Sequence, residues 1–361
     1  MNLVILTSLE ASCRDAGLRH LQKHHAEAIV ICYDYLEGHR ILRHVGGTAA
    51  AERAESTLEH GCLGCATKFE ILPTVLRLAP RDTERTVLLA LPPTWHSNTV
   101  LDIMIPHLAS AGHQVSSVAL AFDPASLEDQ MWDRHTLWES GFNAIEEDAR
   151  TPGEFLHFEA SLVDTLIPVE GLSASLLGEQ AVELSQGSPQ YLRGVELSGQ
   201  MAPHATLCAH DGGMGTYQVQ ASKHRATPGY VPQQSSLSKP IYAPKPISLS
   251  FNRPFHAQRF REALPELAQS CTYLRGRLWV ASAPGHQIAL SGAGPRVWLE
   301  SAGRWESRTA QTLIVAVGSE HQHDELNELL ASCQLSDAEL LGSVAPGNDF
   351  FSDIAEEGGE R

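Results

Sequence analysis

No stretch of the 361-residue chain approaches the roughly 20 consecutive apolar residues that a bilayer-spanning helix needs. Nor is there a basic leader ahead of an apolar run. Met1 to Thr7 is short and breaks at Ser8 and Glu10, which is not the pattern of a signal peptide. Positive charge is scarce: 26 Lys and Arg stand against 43 Asp and Glu, a net charge of −17 with histidine neutral. A surface this acidic repels phosphate backbones, which argues against broad nucleic-acid binding and against direct DNA binding. Contact with a ribosome would then need a local basic patch or a protein intermediary. The seven cysteines are odd in number, and Cys13, Cys32, Cys208, Cys271 and Cys333 are scattered singly. That excludes a secreted disulfide framework and predicts reduced thiols. These absences together predict a soluble, cytoplasmic protein, with enough apolar content (43%) for ordinary cores and enough length for two domains.

What is present begins with short apolar runs. Leu3 to Thr7, Ala28 to Tyr33, Thr86 to Leu91, Val115 to Phe122 and Thr165 to Val169 read as buried strands. Helix-length segments lie between or after them: Arg14 to Lys23, Val100 to Ala111 and Leu176 to Leu184, with an acidic stretch of helical composition over Ala49 to Glu59. Alternation of this kind predicts an α/β domain with a parallel sheet covered on both faces, over residues 1–200. Residues 201–245 are rich in Gly, Pro and Ser and read as a linker or long loop. Ile247 to Phe251, Leu278 to Ala281, Arg296 to Leu299 and Thr312 to Val317 read as strands, with helices at His256 to Ala268 and Asp324 to Cys333. This is the pattern of a small α+β domain over 246–343, followed by an acidic tail, 344–361, expected to be disordered.

Three nucleotide-handling devices are missing from the first domain. After its opening strand a P-loop protein places GxxxxGK[ST], whose amides cradle phosphate, whose lysine meets the outer phosphates and whose hydroxyl holds magnesium. Here that stretch runs from Thr7 to Ala16, with no glycine before Gly17, no Gly-Lys pair, and carboxylates at Glu10 and Asp15. Pro92-Pro93-Thr94-Trp95 follows the third strand where a magnesium-handling carboxylate often sits, and Pro168-Val169-Glu170-Gly171 stands in place of NKxD. The expectation is a nucleotide-hydrolase fold without hydrolase chemistry, with GTP unlikely as a ligand. Trp95 and His96, at a strand end, are candidates to fill the space a nucleotide would take.

The pattern richest in chemistry is His60-Gly61-Cys62-Leu63-Gly64-Cys65. Two thiols three residues apart can point at one zinc or related thiophilic ion, can form one disulfide, or can be a structural pair. Zinc usually takes four ligands, so two cysteines leave it short. His60 is the nearest candidate third ligand, although it can equally cap or pack locally. Glu37 and His39, on the loop after the second strand, could approach the same place. Cys208 and His210, with His204, have ligand-like spacing in the linker, where a polar linker with a buried thiol is the simpler reading. Arg253, Arg259, Arg261, Arg275 and Arg277 are the densest basic run of an acidic chain. On a strand-helix-strand arrangement they could share one face toward rRNA or an acidic partner, or be solvated or paired with Glu262 and Glu266.

The second domain resembles the carboxy-terminal domain of CobW-type GTPases in four ordered blocks: Arg253 to Phe260, Leu274 to Ala281, Thr312 to Gly318 and Cys333 to Glu339. The first domain resembles the P-loop domain of that family with degenerate motifs, and its CxxC occupies the place of the family's usual CxCC. The chain is most similar to an actinobacterial offshoot, the ribosome hibernation factor-recruiting factors (MRF), which carry HGCxxC followed by a leucine-rich helix; here that helix reads Phe69 to Leu78. This resemblance implies a zinc-responsive, non-enzymatic adaptor that brings a hibernation-promoting factor to the small ribosomal subunit when zinc is scarce. The alternative it implies is a zinc metallochaperone that hydrolyses GTP.

Overall fold

The computed structural model describes residues 1–59, 61–79, 85–123, 125–163, 165–169, 247–305, 310–318, 323–341 and 349–357. The chain divides into two compact units. The expected helix at Leu176 to Leu184, the linker 201–245 and the end of the first domain lie outside the described residues.

The first unit contains, in order, β1 (Asn2–Ser8), α1 (Ala11–His24), β2 (Ile29–Leu36), β3 (Arg40–Gly47), β4 (Glu52–Thr57), α2 (Leu63–Ala66), a π-helical turn (Thr67–Ile71), α3 (Leu72–Leu78), β5 (Thr86–Ala90), α4 (Ser97–Ser110), β6 (Gln114–Phe122), α5 (Leu127–Trp132), α6 (Pro152–Leu162) and β7 (Thr165–Pro168). The strands form one sheet in the order β4-β3-β2-β5-β1-β6-β7. From β2 to β7 the pairing is parallel, and β3 and β4 extend the edge antiparallel. Along β1 the side chains alternate. Val4 and Leu6 join Cys13 and Leu21 of α1, Leu88, Ala119 and Ile167 in one buried cluster. Leu3 and Ile5 of β1, like Val75, Val100 and Met104 of α3 and α4, are buried outside that cluster.

Two features depart from the sequence reading. Ala49 to Glu59 is not helical: it holds β4, whose residues alternate between half-buried and exposed. Its charges pair across the strands, Arg40 with Glu55 at 3.0 Å and Arg43 with Glu52, so the polar sequence is that of a charged edge strand. At the end of β3, Gly47 has φ +72°, and a Cβ there would lie 2.2 Å from the Ala28 carbonyl oxygen, so the chain can turn into β4 only through glycine.

The second unit contains β8 (Ile247–Phe251), α7 (Ala257–Ser270), β9 (Cys271–Leu278), β10 (His286–Ala293), β11 (Arg296–Arg304), β12 (Thr312–Gly318), α8 (His323–Ser332), α9 (Asp337–Leu341) and α10 (Phe350–Glu357). Its sheet is antiparallel throughout, in the order β11-β10-β9-β12-β8. The strand expected at Leu278 to Ala281 is misplaced: β9 runs from Cys271 and ends at Leu278, and Val280 beyond it makes an isolated bridge to Phe255. β10 was not anticipated. The stretch expected to be a disordered tail carries α10, whose Phe351 and Ala355 sit in the same buried cluster as Phe260, Leu274, Leu290 and Leu330. Phe251, Phe255, Phe260 and Phe351 follow one another at centroid distances of 5.3, 5.4 and 6.0 Å.

α9 starts with a reciprocal cap: the Ser336 amide (2.7 Å) and hydroxyl (2.8 Å) both donate to Glu339. These bonds, and then Arg259, hold the Glu339 carboxyl at about 2. Since that lies below its ordinary 4.5, the cap's contribution is complete above about pH 4.5 and is lost as pH falls toward 2. An NMR titration of the Glu339 side chain should show a midpoint near 2; a midpoint at the ordinary value would contradict the cap.

Candidate metal centre

Cys62 and Cys65 stand at the start of the continuous helical stretch formed by α2, the π-helical turn and α3. Cys62 is the residue before the first turn, with extended backbone, and its Sγ accepts the Cys65 amide at 3.2 Å. Cys62 is exposed and Cys65 half-buried behind it. The Cys62 thiol is drawn below its ordinary value, first by the hydrogen bond from the Cys65 thiol. Desolvation opposes this, and the amides of Cys65 and Gly64 and the Lys68 ammonium add to it. As the donor, Cys65 is shifted upward.

The helix is fixed to the sheet by charge. Arg43 of β3 reaches Glu70 in the π-helical turn, the Thr74 hydroxyl at 2.9 Å and Glu52 of β4. Tyr33 donates to the Glu70 carbonyl at 3.4 Å, and Thr67 donates to the Leu63 carbonyl at 2.9 Å. The approach to Cys62 is set by the β2–β3 turn, where His39 has φ +59° and its Nδ1 lies 2.7 Å from the Tyr35 hydroxyl. A Cβ on Gly61 would lie 2.3 Å from His39 Nδ1 and 2.6 Å from the Tyr35 oxygen, so glycine alone lets the chain pass beside that pair.

The structure therefore brings the two thiols together and packs His39 against the backbone beside them. Among the described residues, no three metal-ligating side chains converge in a geometry that could hold an ion. His60 lies outside the described residues, as do Cys208, His204 and His210. Two thiols supply half of the four ligands that zinc usually takes.

The crest where a phosphate cradle would sit is closed. Leu9 and Glu10 alone separate β1 from α1. The Glu10 carboxylate accepts Ser12 Oγ at 3.2 Å and Gln130 Nε2 at 2.6 Å. Arg14, the cation of this turn, is committed to the Tyr33 carbonyl (2.8 Å) and Asp34 (2.6 Å). Burial, with Glu10 and Asp123, pushes the nearby Cys13 thiol up to about 12, a field that also opposes a phosphate. Pro92 to Trp95 folds over the strand end, with the Thr94 amide on the Ser8 carbonyl (2.9 Å) and Thr7 Oγ1 on the Trp95 carbonyl (3.0 Å). Trp95 is buried, 5.6 Å from the Tyr35 ring. These residues do not fit GTP.

His96 belongs to a network that sequence reasoning missed. The buried Glu159 carboxylate of α6 meets His96 Nδ1 (2.7 Å), the Ser97 amide (3.1 Å) and the Ser97 hydroxyl (2.7 Å). It caps α4 from a distant part of the chain, so no local spacing could signal it.

The five arginines do not share one face. Arg253 pairs with Asp337 (2.7 Å) and Arg259 with Glu339 (2.9 Å), not with Glu262 or Glu266, while Arg261 is exposed on α7. Arg275 is buried and Arg277 half-buried on β9, alternating with Leu274 and Leu278, which belong to the helix-side cluster.

Residues 245–334 match the Cobalamin synthesis protein cobW C-terminal domain. Across 313 residues the chain is 23% identical to the zinc chaperone Rv0106 of Mycobacterium tuberculosis, spanning 81% of this chain and 72% of that protein. The same figures hold for an uncharacterized protein of Mycobacterium bovis. Among solved structures, the Zn(II)-bound YjiA GTPase from E. coli aligns over 93% of this chain and 99% of its own, at 11% identity and a TM-score of 0.32. A Zn(II)-bound triple mutant of YjiA gives 12%, 0.33, and coverage of 93% and 100%. Among the described residues no helix is long and apolar enough to cross a membrane.

Two outcomes follow for the site. With limiting iodoacetamide at neutral pH, Cys62 should be modified first, while the buried Cys13 and Cys271, whose thiols burial pushes up to about 12, react only after unfolding. Equal rates would contradict the thiol geometry. Arg43→Ala should cost about 2–3 kcal/mol in denaturant unfolding, because it strands the half-buried Glu70, while Glu52 keeps Arg77. A change below about 0.5 kcal/mol would mean the tie is unimportant.

Proposed function

We propose that this chain handles zinc as cargo, in the manner of a metallochaperone, and does so without turning over GTP. The observation that carries this is the placement of Cys62 and Cys65 on one turn, the Cys65 amide on the Cys62 sulfur, at the start of a helix anchored by Arg43. The relative named a zinc chaperone supports the same reading. Cys62 and Cys65 would hold the ion, which supplies nothing beyond its own transfer. The chain's part is to present two thiolates, to leave the remaining coordination open for an acceptor, and to keep His39 beside the site through Tyr35. Both thiols must lose their protons to bind, so affinity falls as pH falls.

The closed β1–α1 crest separates this reading from a GTP-driven one: a carboxylate stands where phosphate would bind, and no lysine is offered. Recruitment of a hibernation-promoting factor to the ribosome, ranked first on resemblance, gives way to zinc handling. The relative's printed name concerns zinc, and the arginines invoked for a ribosomal face are paired, buried or spread over both sides of a sheet.

Elemental analysis of the purified chain after zinc loading should find about one zinc per chain, lost in the Cys62→Ser/Cys65→Ser variant. Unchanged zinc in that variant would remove the thiols from the proposal. Equilibrium dialysis with GTP and magnesium should show no retention; saturable binding would restore the GTP-driven reading.

A further inference from the structure

The thiol pair is arranged for a second chemistry that zinc handling does not require. The Cys65 amide donates to the Cys62 sulfur at 3.2 Å, and the two cysteines share one turn at the start of a helix. Cys62 is exposed, with Cys65 half-buried behind it. An exposed attacking sulfur with a second thiol on the same turn is what dithiol–disulfide exchange needs. The other described cysteines offer no competing pair: Cys13, Cys271 and Cys333 are buried and Cys32 half-buried in β2. Between the two cysteines the turn is open, since a Cβ on Gly64 would meet Ile103 Cδ1 at an ordinary 3.8 Å.

We propose that Cys62 and Cys65 undergo reversible exchange with low-molecular-weight disulfides, and that oxidation of the pair discharges the metal. The Cys62 thiolate attacks one sulfur of the small disulfide, forming a mixed disulfide and expelling one small thiolate. Cys65 gives its proton to solvent and attacks the Cys62 sulfur, forming the Cys62–Cys65 bond and expelling the second small thiolate. Two electrons pass from the protein dithiol to the small disulfide, and two small thiols result. A bound zinc ion loses both thiolates in the process. The exchange stands apart from the zinc reading; the discharge rests on it.

The test uses the full-length, metal-free chain equilibrated in glutathione buffers of increasing oxidised fraction, then acid-quenched, alkylated and peptide-mapped. Cys62 and Cys65 should convert together to an intramolecular disulfide, while Cys13, Cys32, Cys271 and Cys333 stay alkylatable in denaturant. Cys65→Ser should stop at glutathione on Cys62, and Cys62→Ser should abolish the reaction, with circular dichroism confirming that both variants fold. A wild-type pair that stays reduced, or that stops at the mixed disulfide, overturns the exchange. In a second arm the zinc-loaded chain is treated with oxidised glutathione beside a zinc-binding dye. Dye signal rising in step with the disulfide, with zinc affinity at least about 100-fold lower, supports discharge. Disulfide formation with zinc retained overturns discharge and places the ion on other ligands, leaving the exchange intact. A chain that takes up no zinc defeats the zinc reading and discharge together, and the first arm still decides the exchange.

Discussion

The guanidinium of Arg43 is the joint on which the placement of the Cys62–Cys65 turn depends. It is anchored in β3, pairs with Glu52 on β4, and reaches Glu70 and Thr74 on the helical stretch that begins at the cysteines. Its side chain is 14% exposed and that of Glu70 15%, so the pair is screened little by water. Without that tie, a short helical stretch interrupted by a π-helical turn is held by the burial of Ala66, Ile71, Leu72 and Val75 and by Tyr33 on the Glu70 carbonyl. The strand pair β3–β4 thus contributes more than an edge. It carries the charges that decide where Cys62 and Cys65 sit.

A second constraint lies at the crest of the parallel strands. Open α/β sheets bind ligands at strand ends where connections diverge, and β1 leads toward β2 while its neighbour β6 leads toward β7. In this chain the place is filled from within by Glu10, Gln130 and the Pro92–Trp95 turn. Trp95 faces Tyr35, and Tyr35 holds His39, so the filled crest and the thiol turn are joined through two side chains. The filled crest and the thiol turn therefore lie at the same, carboxy-terminal end of the parallel strands.

Much of this was legible in the residues. β1, β5 and β6 announce themselves as apolar runs because both of their faces are buried, and the missing Gly-Lys pair foretold the closed crest. The Cys62–Cys65 pair was visible as spacing. Four things were not. β4 reads as helical because its polar residues are satisfied by Arg40 and Arg43, which lie on another strand. Arg275 and Arg277, two residues apart, lie on one face of β9, and which face that is follows from strand register, which composition does not carry. Glu159 finds His96 and Ser97 across some sixty residues, a capping contact made by tertiary packing alone. α10 lies in an acidic tail whose composition hides Phe351, the residue that docks it.

X-ray absorption at the zinc edge of the singly loaded chain tests the central claim most directly. The account predicts two sulfur scatterers at about 2.3 Å, with lighter nitrogen or oxygen atoms completing the shell. A shell of nitrogen and oxygen alone would place the ion away from Cys62 and Cys65 and contradict it.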